Sequence, residues 1–277
     1  MVAQHAACAE IIKPFLRGKD VKRWNVEFAE QYLIKIESSE NVRHPWSRLD
    51  APAAEKKFAK TFPSIYVWFT QENRREQLIE RTDQGHYFWE LRSCAYWDQF
   101  LETKIIVPAI AASPIAALDQ LLHFSNNKST FFLPPSLELA AACINSPISA
   151  WMAVQTFATK QGGFYDFEPR YSGQLPIPSA TAAQLAGMEP VVHAITHDIS
   201  APEFERLLNG LVYELFFPDD LHAKKIRLFE ACADAGVKPG MDASVVAAKI
   251  FAANHPIYGM LFDLQSIDAV RTIENLD

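Results

Sequence analysis

The stretch TKQGGFYDFEPRYSGQLPIP, residues 159–178, gathers side chains able to recognise polar groups. Between residues 164 and 171 the kinds alternate, with Phe164, Asp166, Glu168 and Arg170 on one side and Tyr165, Phe167, Pro169 and Tyr171 on the other. Successive side chains of a β-strand point to opposite faces, so the pattern predicts a half-buried strand with one charged face. Carboxylates accept hydrogen bonds and an arginine fork donates two in parallel, so such a face can read the donor and acceptor edges of a ligand. It can equally close on itself, because Glu168 and Arg170 stand two apart on one face, within reach of a salt bridge.

Other chemistry is missing. The ten glycines never take the Gly-x-x-x-x-Gly-Lys-Ser/Thr arrangement of a phosphate loop, and no Gly-x-Gly-x-x-Gly follows a strand. There is no Gly-x-Ser-x-Gly elbow. FLPPSLE holds a Pro-Pro pair without the acid or amide before it and the aromatic after it that stack a flipped adenine in amino-methyltransferases. Glu102-Thr103-Lys104 matches the end of a nuclease motif, but no Pro-Asp lies upstream. No complete active site is expected in this chain. His193 and His197 stand four apart, on one face of a helix as zinc requires, and Asp198 follows. No Glu lies between them and no further ligand is identifiable, so two surface histidines are the favoured reading and no metal is expected.

The elements around these residues divide in two. Residues 1–178 hold 19 Lys and Arg against 19 Asp and Glu, so the whole net charge of −7 falls after Pro178. A strand is predicted near residues 32–36 and a helix over 64–81. HYFWELRS and KIIVPAI read as short buried strands, and LLHFS with STFFLPP as a hairpin across NNK. SLELAAACINSP reads as a helix capped by Ser136 and ended by Pro147, followed by a second helix in ISAWMAVQTFATK. Beyond residue 180 the sequence is Ala-rich and acidic, with helices predicted over 204–217, 223–235, 243–253 and 267–274. The fold class is therefore α+β, a mixed small-sheet domain over 1–180 and a helical C-terminal region over 181–277. Cys8, Cys94, Cys143 and Cys232 are widely spaced, which suits reduced thiols. With no signal peptide or membrane-spanning run, a cytoplasmic chain is expected.

From residue 11 to 178 the order of features resembles the TaqI-like C-terminal specificity domain. This is the target-recognition module of Type IIG and related adenine-specific DNA methyltransferases of restriction–modification and phage-defence systems. The pieces that carry the resemblance are PFLRGKDVKRW, YLIKI, FPSIYVWF with REQLIERTDQGHYFWELR, ETKIIVPAIAASPIAALD, SNNKSTFFLPP, LAAACINSPISAWM and TKQGGFYDFEPRYSGQLPIP. LLNGLVYELFFPDDL is similar to the helical tail found after this domain. The methyltransferase half of that family is not among these residues.

The resemblance implies double-stranded DNA as a partner, read on behalf of a methyltransferase domain or subunit that holds S-adenosyl-L-methionine, with nuclease activity possible in the same system. No cofactor is expected in this chain, and no membrane partner. It makes Asp166, Glu168 and Arg170 candidate base readers, since a carboxylate accepts from cytosine's amine and arginine forks onto guanine. Asn126 and Asn127 at the SNNK tip could pair with adenine, although Asn also simply forms turns. Arg17, Lys19, Lys22, Arg23, Lys128 and Lys160 are candidate phosphate contacts, and Gly162 and Gly163 would let the backbone approach DNA. An alternative is a protein-interaction module whose acidic helical tail docks a methyltransferase or nuclease subunit.

Overall fold

In the computed structural model, residues 7–197 and 201–275 are described. They form two compact units that do not divide at residue 180. The first comprises the described residues up to Leu16 with Phe28–Glu102 and Leu121–Phe124; the second comprises Arg17–Glu27, Thr103–Gln120 and the chain from Ser125 onward.

The first unit is built on aromatic packing around one buried acid. Helix Ala51–Thr61 starts where Asp50 accepts a hydrogen bond from the Ala53 N–H at 2.9 Å, with Pro52 in its first turn. It buries Phe58 against Trp89, with ring centroids 4.8 Å apart, and Trp89 stacks in turn on Tyr87. Glu90, fully buried, accepts from the Trp46 indole at 2.8 Å, from Ser39 Oγ, and from the N–H groups of Ser39, His86 and Tyr87. A carboxyl group is accommodated in an apolar core only with such a shell of hydrogen-bond partners. Strand Tyr32–Ile34 pairs antiparallel with Ile12–Leu16. The helix predicted over 64–81 is two helices, Pro63–Thr70 and Arg74–Ile79, because Glu72 between them turns left-handed. HYFWELRS contributes only an isolated bridge, Gln84 with Leu91, in place of a strand.

The second unit centres on strand Lys104–Pro108, buried throughout and flanked by Ala117–Asp119 and Ser129–Phe132 in an antiparallel sheet. Lys104 lies opposite Asp119 in register and the two pair at 2.8 Å, both sealed from water. Phe124–Ser125 and Ser129–Phe132 are not hairpin partners; they belong to different sheets. Helices Leu137–Asn145 and Pro147–Thr156 are capped by Ser136 and Ser146, whose side chains accept from the N–H of Leu139 and Ser149. Helix Ala182–Thr196, absent from the predicted set, carries Pro190 inside it and opens on a Thr181–Gln184 capping box. One apolar core runs from Trp24 through Ile105, Val107 and Ile144 to Leu211, Ile250 and Val270, so the late helices share their core with earlier residues. The α+β class with a helical C-terminal region is what the elements show. No single helix among the described residues is long and apolar enough to cross a membrane.

Candidate functional site

The segment Arg17–Glu27 is pinned from within. The Arg17 guanidinium grips Asp20 through Nε at 2.9 Å and Nη2 at 2.7 Å, and the Arg17 N–H adds a third bond, closing the turn Gly18–Asp20. This arginine holds the nearly sealed Asp20 carboxyl below the usual carboxylate range. Trp24 is left-handed, with φ of 71°, a conformation that persists for a bulky residue only when its surroundings fix it. Its N–H donates to Ala116 O at 2.9 Å and its indole N–H to Glu205 Oε1 at 2.5 Å. Arg23 donates to both Glu205 oxygens, at 3.0 and 3.3 Å, and to Asn145 O at 2.7 Å. Buried Asn145 exchanges two bonds with the Ala116 backbone. Lys19 and Lys22 stay on the outside. Lys22 donates to Lys19 O and lies 3.5 Å from the Glu27 carboxylate; Lys19 has no ion-pair partner among the described residues.

The tip Asn126–Lys128 packs directly on this loop. A Cβ added to Gly18 would sit 2.3 Å from Lys128 O, closer than any side chain tolerates, so glycine is required for the two backbones to meet. The Asn126 side-chain oxygen accepts from the Lys128 N–H at 3.0 Å and its carbonyl from Ser129, which fixes the turn. Asn127 and the Lys128 side chain are exposed. Two segments far apart in sequence thus meet at Gly18 and Lys128, and each carries exposed residues at the contact: Lys19 on one, Asn127 and Lys128 on the other.

The hairpin that carries the alternating residues is arranged differently. The strand ends at Asp166 and residues Pro169–Ser172 form a helical turn, so the charged face predicted over 164–171 does not exist as a face. Asp166 is fully buried. It accepts from Lys160 at 3.0 Å, from Arg170 at 3.0 Å and from the Glu168 N–H at 2.9 Å. Burial alone would raise its pKa; these bonds outweigh burial and hold it below the usual range. Its oxygens are therefore occupied, which corrects the expectation that it reads a base. Glu168 and Arg170 remain more than half exposed and lie 3.6 Å apart, so the self-closing alternative is present, with Asp166 as the stronger partner. Gly162 and Gly163, at φ of 80° and 79°, form the turn between Thr159–Lys160 and Phe164–Asp166, a left-handed geometry that itself calls for glycine.

Of the expected phosphate contacts, Arg17, Arg23 and Lys160 therefore hold carboxylates of their own chain and Lys22 makes an exposed pair with Glu27, while Lys19 and Lys128 face water with no ion-pair partner among the described residues. Sequence reasoning missed Glu205, Asn145 and Ala116, whose contacts with the loop are long-range. His193 and His197 stack at 4.9 Å and line a cleft of about 350 Å³ with Glu189 and Asp242. His197 Nδ1 is engaged by His193 O at 2.8 Å, and no group of three metal-ligating side chains occurs among the described residues; Asp198 lies outside them. The Cys143 and Cys232 thiols are pushed up to about 12 by burial, which keeps both protonated and poorly nucleophilic. No known protein-family model matches the chain, and no curated protein matches it significantly.

Proposed function

We propose that this chain is a DNA sequence-recognition module serving an adenine-specific methyltransferase of the restriction–modification kind, and that it positions the target adenine for a catalytic domain or subunit that binds S-adenosyl-L-methionine. The observation that supports it most is the packing of Gly18 on Lys128. It joins two backbones fixed by internal bonds, on which Lys19, Asn127 and Lys128 are exposed. Lysines supply the sequence-independent grip on phosphates, and an exposed amide can bond two groups on an adenine edge. Lys19, Lys22 and Lys128 take the phosphate role and Asn127 the base-reading role, with Glu168 and Arg170 as further exposed readers.

Salt dependence tests this. Each phosphate neutralised contributes about 0.9 to the slope of log K against log salt. Three lysines predict a slope of about −2.7 on mixed-sequence duplex, against about −5.4 if all six expected phosphate contacts were available. Absence of binding at the lowest salt would sink the reading. It would bring forward docking of a protein subunit on the acidic helical region, where Tyr258 and Phe262 stand exposed four residues apart on helix Ile257–Asp263.

A further inference from the structure

Arg23 lies in the basic loop, yet its guanidinium is occupied by a carboxylate from the acidic part of the chain. Glu205, in the first turns of helix Ala201–Phe216, presents both oxygens to Nε and Nη2 in the fork geometry that arginine uses for carboxylate and phosphate alike. The pair differs from its neighbour Arg17–Asp20. Asp20 is only 5% exposed at its side chain, whereas Arg23 and Glu205 are 35% and 30% exposed. The fork is therefore open enough to solvent for a competing anion to approach it. The guanidinium need not move to do so, because Nη1 stays fixed on Asn145 O and Trp24 stays fixed by its backbone bond to Ala116.

The geometry points to Glu205 as an intramolecular competitor for DNA phosphate: it occupies the Arg23 fork, so Arg23 joins the phosphate contacts only where Glu205 has been displaced. The inference rests on the DNA reading above and adds regulation to it. The acidic helical region sets how many cations the recognition loop offers, so non-specific binding is held down by the chain itself. Glu205 is charged and aimed at the loop, while Lys19 and Lys128 nearby carry no such restraint among the described residues.

The test is the salt dependence of the full chain on mixed-sequence duplex. Glu205→Gln removes the charge and keeps an acceptor for the Trp24 indole. The slope should steepen by about 0.9, one further phosphate, with tighter binding at low salt. Arg23→Ala alone should leave the slope as in the unaltered chain, and Arg23→Ala combined with Glu205→Gln should abolish the gain. An unchanged or flatter slope in Glu205→Gln overturns the inference, and so does a gain that survives in the double variant, which would be a general effect of lost negative charge. If Glu205→Gln does not fold, Arg23→Ala decides: a slope flatter by about 0.9 means Arg23 already reaches phosphate, which also overturns it. Failure of the DNA reading is told apart because the unaltered chain would then show no salt-dependent binding at all, and the inference would fall with it.

Discussion

Asp20 and Asp166 are both buried carboxylates gripped by an arginine, in segments with glycine and further cations nearby, yet the two acids engage different shares of those cations. In the loop, Asp20 takes only Arg17, and Lys19 and Lys22 remain outside. In the hairpin, Asp166 draws in both Lys160 and Arg170, and the strand ends as soon as it is buried. Basic residues counted along the sequence therefore overstate the cationic surface, because a sealed acid captures whichever cations its backbone brings within reach.

The comparison breaks if the hairpin acid proves dispensable. Asp166→Ala removes the acceptor for three groups and should lower stability by about 1–3 kcal/mol in denaturant titration. Lys19→Ala should stay within about 0.5 kcal/mol of the unaltered chain, since it faces water. Equal effects from the two would mean that Asp166 organises nothing.

The glycines sharpen the same contrast. Gly18→Ala drives a methyl into the Lys128 carbonyl, which should cost about 1–3 kcal/mol and also weaken DNA binding by parting loop from tip. Gly162→Ala meets only an ordinary contact with the Phe164 ring, at 3.5 Å, but a left-handed backbone, so about 1–2 kcal/mol of stability should go while the salt slope stays. A loss of DNA binding confined to the Gly162 variant would reverse the assignment of the two regions.

Acid should act on both. The folded pKa values of Asp20 and Asp166 lie below those of the unfolded chain, so the stabilisation is present above about pH 4 and is lost as pH falls through the folded values. Denaturation midpoints should fall below about pH 4, and Asp166→Asn should flatten part of that decline. Midpoints that rise on acidification would contradict the pairing of both acids.

What could be read from sequence was local. Ser136 caps its helix through a bond to the residue three positions ahead, and the NNK turn closes on Asn126 itself, so short-range signals sufficed there. Alternation over residues 164–171 was misleading because Pro169, with Glu168 extended before it, starts a helical turn while the two-residue pattern continues unbroken. Pairing is non-local, and nothing in LLHFS or STFFLPP tells that their strands belong to different sheets. Pro190 interrupts the pattern of helix Ala182–Thr196, which a capping box and buried Val191, Val192 and Ile195 nonetheless hold. For the site, Lys19, Lys22, Asn127 and Lys128 were legible as exposed turn and loop residues. The capture of Arg23 by Glu205 was not, since no local spacing links them.

The central claim is that the loop and tip, and not the hairpin, face the phosphates. The direct measurement is the salt slope of duplex binding for the double variant Lys19→Ala, Lys128→Ala beside Arg170→Ala. The account predicts a slope flatter by about 1.8 in the first and unchanged in the second. An unchanged slope in the lysine variant with a flatter one in Arg170→Ala would contradict it.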